Sequence, residues 1–233
     1  MSFLGETIRV FTDFPGPLLT GVFFTVALTF CSLLLGVSLG IVLALVRISA
    51  QGKKRKGLNG FLLSLPASLS QAYIELIRGT PLLLQLFVFF FGFAQFGLML
   101  DKFTSAVLAL GLNSAAYVSE IIRAGIQAVD KGQSEAARSL GLSSGKTMRY
   151  VVLPQAVRNI LPALGNEFVV MIKESSLASV FFVGEIMTAY KAITNSTFAP
   201  MQALVAAGII YFVLTFSLSK LVSFFERRMS ADV

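Results

Sequence analysis

The chain has 233 residues, of which 55% are hydrophobic, 13% are charged and 22 are Phe, with a net charge of +7. A soluble domain carries roughly 25% charged residues and at this size buries only about three quarters of the surface its unfolded chain exposes. The composition therefore excludes a soluble enzyme, a disordered tail and a disulfide scaffold, and fits a chain whose solvent is lipid.

His is absent and Cys31 is the only cysteine. That removes intrachain disulfides, zinc sites of the usual Cys/His type, Cys–His or Ser–His catalysis and His-held haem. No metal site or cofactor is expected on this chain. A spanning helix needs about 20 apolar residues. In chain order the candidates are 18–46, 81–100, 103–128, 160–183 and 201–225. The first is too long for a signal-peptide core, and Glu6, Arg9 and Asp13 precede it instead of a basic run.

The connections carry the charge. Arg47 and the run Lys53-Lys54-Arg55-Lys56 follow the first span, Lys131, Arg138, Lys146, Arg149 and Arg158 lie between the third and fourth, and Arg227 and Arg228 follow the fifth. The other side holds only Arg9, Lys102 and Lys191. By the positive-inside rule the N-terminus is expected outside, with both long loops and the C-terminus cytoplasmic. The net charge then reports topology and not nucleic-acid affinity.

The second hydrophobic segment has a polar forerunner. Leu58–Arg78 contains Ser64, Ser68, Ser70, Gln71, Glu75 and Arg78 and reads as an amphipathic helix at or below the cytoplasmic interface. It is expected to kink at Gly79-Thr80-Pro81, because proline disfavours helical geometry in the residue before it. Glu75 and Arg78, three apart, are expected to pair on one face.

The loop 130–159 is the most informative stretch. Gly132 is expected to break the preceding helix. A short helix over 133–140 follows, with Glu135 in its first turn and Arg138 in its last half. Gly141 ends it as a C′ residue. A second short helix, 145–152, leads to Leu153-Pro154. Gly141, Gly145, Lys146 and Thr147 imitate a phosphate-binding loop. That motif needs four residues between its glycines, here there are three, and no apolar strand precedes it. Taken by itself, the loop reads either as a docking element or as an ordered connector.

In order, the loop carries Glu135-Ala136-Ala137, then Gly141, then Val151, Leu153 and Pro154. That pattern resembles the cytoplasmic signature of bacterial ABC-importer permease subunits: Glu-Ala-Ala, three residues, Gly, nine residues, an aliphatic, one residue, Leu-Pro. Ile77-Arg78-Gly79-Thr80-Pro81, Leu112-Asn113-Ser114-Ala115-Ala116-Tyr117, Asp130-Lys131-Gly132-Gln133, Leu153-Pro154-Gln155-Ala156 and Lys173-Glu174-Ser175-Ser176-Leu177 resemble the polar amino acid branch (histidine, glutamine, arginine and cystine permeases). The likeness runs over about 18–225.

The resemblance implies one transmembrane permease domain over 1–233 in an uptake system. Its partners would be a second permease subunit, identical or related, two cytoplasmic ATPases holding ATP and Mg, and an extracytoplasmic binding protein. Gln133, Glu135, Ala136, Ala137, Arg138, Leu140, Gly141, Leu153 and Pro154 would form the ATPase dock, with small Ala136 and Ala137 allowing close approach. The fold class expected is an all-α membrane protein of five transmembrane helices. The second has an amphipathic cytoplasmic extension, and short coupling helices join the third and fourth.

Ionisable groups inside spans cost roughly 2.5–3.5 kcal/mol each on insertion scales and usually face a bundle interior or a water-filled path. Asn113, Tyr117 and Glu120 share one face of the third span by their spacing. Asn166 and Lys173 share a face of the fourth, as do Glu167 and Glu174, with Ser175 and Ser176 beyond. Lys173, Asn113 and Asn166 can donate to a substrate carboxylate, and Glu167 or Glu174 can accept from its ammonium. The same groups can also simply pair and specify helix packing. Glu75–Arg78 and Glu120–Arg123 read as structural ion pairs. An ion-coupled secondary transporter or channel is the alternative function, but five spans do not divide into two equal repeats. No catalytic residues are expected.

Overall fold

The computed structural model describes residues 2–50 and 58–231. The run Lys53-Lys54-Arg55-Lys56, read above as a topology signal, lies outside the described residues. The described chain is all helical: α1 Phe3–Asp13, α2 Pro15–Ala50, α3 Leu58–Arg78, α4 Leu82–Phe87, α5 Phe93–Gln95, α6 Lys102–Gln127, α7 Lys131–Ser139, α8 Ser144–Thr147, α9 Leu153–Glu174, α10 Ile186–Thr197 and α11 Pro200–Ala231. A π-helical turn, Val88–Gly92, joins α4 to α5, another, Met148–Val152, joins α8 to α9, and a 3₁₀ turn, Ser175–Phe181, extends α9.

Three helices, α2, α6 and α11, are long and apolar enough to cross a membrane. Leu65–Arg78 with Leu82–Gln95 makes a fourth if taken as one broken span. The break falls at Gly79–Pro81, as proline dictates. The expected second span is shorter than its apolar run: helix ends at Gln95, and Gly97 turns the chain with φ +77°. The fourth apolar segment is also redrawn. Regular helix starts at Leu153 and stops at Glu174, and 175–181 follow as the tighter 3₁₀ turn.

The chain divides into two compact units. The first comprises Met1–Leu35, Thr80–Leu112 and Phe168–Ser219. Its core is built on Leu28, Leu86, Ala109, Leu110 and Met171, and a smaller cluster ties α1 through Val10 to Leu18, Ile193 and Ala203. Phe181 stacks on Phe90 at 3.7 Å between ring centroids, seating the 3₁₀ turn against the π-helical turn. The second unit comprises Gly36–Gly79, Asn113–Glu167 and Lys220–Val233. There Val129, Val152, Ala156 and Ile160 are buried with Ile122 and Ile126 against them, so the end of α6 packs on the start of α9. Small residues allow that approach: a Cβ on Gly125 would stand 2.4 Å from Ile160 Cγ1.

Candidate functional site

The loop between α6 and α9 is built by local chemistry. The Asp130 carboxylate accepts from the Gly132 backbone N–H at 2.7 Å and caps α7. The preceding helix therefore ends before Asp130 and not at Gly132, which lies in the first turn of α7. Glu135 falls in the second turn and not the first. At the other end Gly141 adopts φ +86°, its N–H donates to the Arg138 carbonyl at 3.0 Å, and the Leu142 N–H donates to the Ala137 carbonyl at 3.2 Å. These two bonds make a Schellman cap, the termination expected at Gly141.

The second expected short helix is instead the leading end of a long one. α8, the π-helical turn and α9 follow without a break, and Leu153 N–H reaches back to Met148 O. Pro154 supplies the reason: it has no N–H, and its ring presses on the carbonyl four residues earlier, so the turn there widens instead of ending.

Gln133, Glu135, Ala136, Arg138 and Gly141 are exposed, as are Leu153 and Pro154, and Leu140 is 84% exposed. Ala137 is different. It is buried, so its small side chain serves the close approach of α7 to its own chain, not to an outside surface. A cleft of 690 Å³ runs along α7, lined by Val129, Ser134, Glu135, Arg138, Met148 and Val152.

The polar residues of the spans fall into both units. In the second, Ser114 Oγ donates to Glu167 Oε1 at 2.8 Å. Glu167 and Asn113 are buried, Tyr117 is half open, and Asn166 on α9 is exposed. In the first, Ser175 is buried and its hydroxyl donates to the Ile172 carbonyl at 2.7 Å. Glu174 and Ser176 there are half-buried, and Lys173 is exposed.

The expected ion pairs are rearranged. Glu120 receives Arg123 through Nε at 3.0 Å and through a second guanidinium nitrogen at 2.7 Å, as the i, i+3 spacing implies. Arg47 of α2 also donates to Glu120, and Arg78 stands 3.7 Å from it. The pairing of Glu75 with Arg78 does not form. Glu75 accepts from Gln71 one turn earlier, and the Arg78 guanidinium lies 5.4 Å from the Tyr117 ring centroid. A local exposed i, i+3 pair contributes only a few tenths of a kcal/mol, and a half-buried carboxylate plus an aromatic face outbids it.

Residues 61–231 match the family described as binding-protein-dependent transport system inner membrane component. The arginine transport system permease protein ArtQ of Bacillus subtilis is 42% identical over 217 residues, covering 92% of this chain and 93% of the relative. This chain belongs to that family. The L-cystine transport system permease protein TcyB of Bacillus subtilis is 39% identical, with 93% of this chain and 88% of the relative covered. A solved amino acid ABC transporter, crystallised with histidines, superposes with a TM-score of 0.86 at 42% identity over 98% of this chain and 99% of that one. The MetNI methionine ABC transporter shares the fold at 19% identity, with a TM-score of 0.66 and 88% and 94% covered.

Two features of this inner-membrane component were not legible in its sequence. Glu185 is fully buried and caps α10, accepting from the backbone N–H groups of Met187 (2.6 Å) and Thr188 (2.8 Å), from the Thr188 hydroxyl (2.9 Å) and from Tyr211 (3.0 Å). The usual cap signals are Ser, Thr, Asp or Asn before the first periodic residue, and a glutamate just past the expected fourth span is not one of them. Asp101, outside the apolar helices, accepts from the Thr104 backbone N–H at 3.0 Å and from its hydroxyl. Those bonds hold its carboxyl below the usual carboxylate range.

Proposed function

We propose that this chain is the permease subunit of an ATP-driven importer that moves a polar amino acid across the cytoplasmic membrane. The observation that carries the reading is the capped α7, a short helix tied down at both ends with Glu135, Ala136, Arg138 and Leu140 facing outward. An exposed apolar Leu140 on a rigid loop fits a partner's groove better than it fits water. Gln133, Gly141, Leu153 and Pro154 complete the dock, and Ala137 supports it from beneath. The partner is a separate ATPase that binds ATP and Mg; the assembly has two of them, a second permease subunit and an extracytoplasmic binding protein.

The substrate class rests on the named relatives, which transport arginine and L-cystine. Asn113, Tyr117, Asn166, Glu167, Lys173, Glu174, Ser175 and Ser176 are the candidate pathway residues. Glu167, buried with one hydroxyl donor, has acceptor capacity left for an ammonium. The topology that fits the charges has the N-terminus outside and the C-terminus cytoplasmic, with α9 and its 3₁₀ extension as a fifth span. The test is uptake of labelled arginine and cystine into vesicles holding the assembled complex. Uptake must require ATP and the binding protein and be lost in Glu135→Arg. Uptake driven by an ion gradient alone, indifferent to Glu135→Arg, would sink the reading.

A further inference from the structure

Glu120 sits at a junction. It lies near the end of α6, and α6 stops at Gln127, three residues before the cap of α7. Arg123 spends its guanidinium on both sides of that stretch: Nε and one terminal nitrogen go to Glu120 and the other terminal nitrogen goes to Gln127. Arg47 approaches Glu120 from α2, and Arg78 from the last residue of α3, directly before the break at Gly79. One carboxylate therefore joins α2, the end of α3 and the last turns of α6. Arg47 and Glu120 are largely shielded, their side chains 12% and 17% exposed, so water screens this contact less than a surface pair.

The opposite side of α6 is held differently. Ile122 and Ile126 pack with Val129, Val152 and Ile160, and Asn159 donates its amide to the Gly125 carbonyl at 3.3 Å. The end of α6 is thus clamped to α9 by apolar contact and to α2 and α3 by charge. Any displacement of α7 acts on both clamps through the short segment 128–130. The ionic clamp is the switchable one, because three cations surround a single anion. Without the carboxylate's charge, Arg47, Arg78 and Arg123 repel one another and α2 and α3 lose their ionic tie to α6, keeping the close packing of Gly40 on Val118 and the Arg78–Tyr117 contact.

We propose that Glu120 is a positioning residue for transport: through Arg123, Arg47 and Arg78 it carries the movement of α7 into α2 and α3. The inference rests on the docking of a partner ATPase at α7. It makes Glu120 a transmitting element, and not only a stabilising pair.

The experiment uses the full complex, with its ATPase and binding protein, in liposomes. ATP hydrolysis and uptake of a labelled amino-acid mixture are measured together. Glu120→Gln keeps the volume and removes the charge. It should leave ATPase co-purification and basal hydrolysis within about twofold, yet lower solute moved per ATP about tenfold, the scale of a typical coupling between linked sites. Arg47→Gln should lower the same ratio, and the double variant should be no worse than Glu120→Gln alone. A wild-type ratio in Glu120→Gln, or effects of the two changes that simply add, overturns the proposal. If Glu120→Gln does not assemble, Arg47→Gln and Arg78→Gln carry the test, and a wild-type ratio in both overturns it. Glu135→Arg reports separately: if it still co-purifies the ATPase, docking at α7 is wrong, whatever Glu120 does.

Discussion

Gly141 carries the sharpest prediction. Its φ of +86° lies in the left-handed region, and an added Cβ would meet nothing within 4 Å. A side chain there is opposed by backbone strain alone, not by a clash, so the effect can be sized. An L-residue in that conformation costs roughly 1–2 kcal/mol, and Asn pays less because its short polar side chain tolerates the region. If α7 must keep its Schellman cap to dock, Gly141→Val should weaken the permease–ATPase affinity by about 5- to 30-fold, which is that strain expressed as a ratio. Gly141→Asn should sit close to wild type. The assay is titration of detergent-solubilised permease with purified ATPase, with thermal unfolding as a control for the rest of the fold. Equal affinities for the Val and Asn variants would refute the reasoning, since the two differ little in bulk but greatly in tolerance of positive φ.

Further predictions test packing, capping and charge. Gly125→Ala places a methyl 2.4 Å from Ile160 Cγ1 and should destabilise the protein by about 1–3 kcal/mol through overpacking; combined with Ile160→Ala, itself a cavity-forming change in the core, the loss of melting temperature should be smaller than the sum of the two single losses. Glu185→Ala removes the α10 cap and strands the Tyr211 hydroxyl, a loss of about 2–4 kcal/mol, whereas Glu185→Gln, which keeps an acceptor, should lose less in the same melting assay. Asp101 has a folded pKa below its unfolded one, so the stabilisation from its charge is present above about pH 4 and disappears as pH falls through the folded value. The melting-temperature gap between wild type and Asp101→Asn, which retains the cap but not the charge, should close on acidification over that window. Ser114→Ala removes the donor to Glu167; uptake of labelled arginine should change in KM more than in the maximal rate if Glu167 lines the pathway, and not at all if the pair only packs helices.

What the sequence disclosed and what it hid divide along the range of the interaction involved. The C-terminal end of α7 was legible because it is settled within a few residues: a glycine that tolerates positive φ stops the helix. Its start was misread, because Gly132 lies in the first turn and not ahead of it, and the cap is the Asp130 carboxylate two residues earlier. The break at Pro81 was legible for the same reason. Pro154 was only half legible. A proline can end a helix or widen one turn, and here the packing of Val152, Ala156 and Ile160 against α6 favours continuing. Arg78 shows the limit more clearly. It had an acid three residues away at Glu75, yet its side chain turned to Glu120 and Tyr117. Spacing along one helix ranks local partners, but an exposed local pair is weak enough that any half-buried anion brought near by the fold displaces it. Arg47 could not have been assigned at all, because its partner lies 73 residues away and only packing makes them neighbours. It follows that the charges reaching Glu120 from other helices, Arg47 and Arg78, are the ones that sequence spacing misassigns. Arg123 lies on α6 with Glu120 at i, i+3 spacing, and that pair was legible.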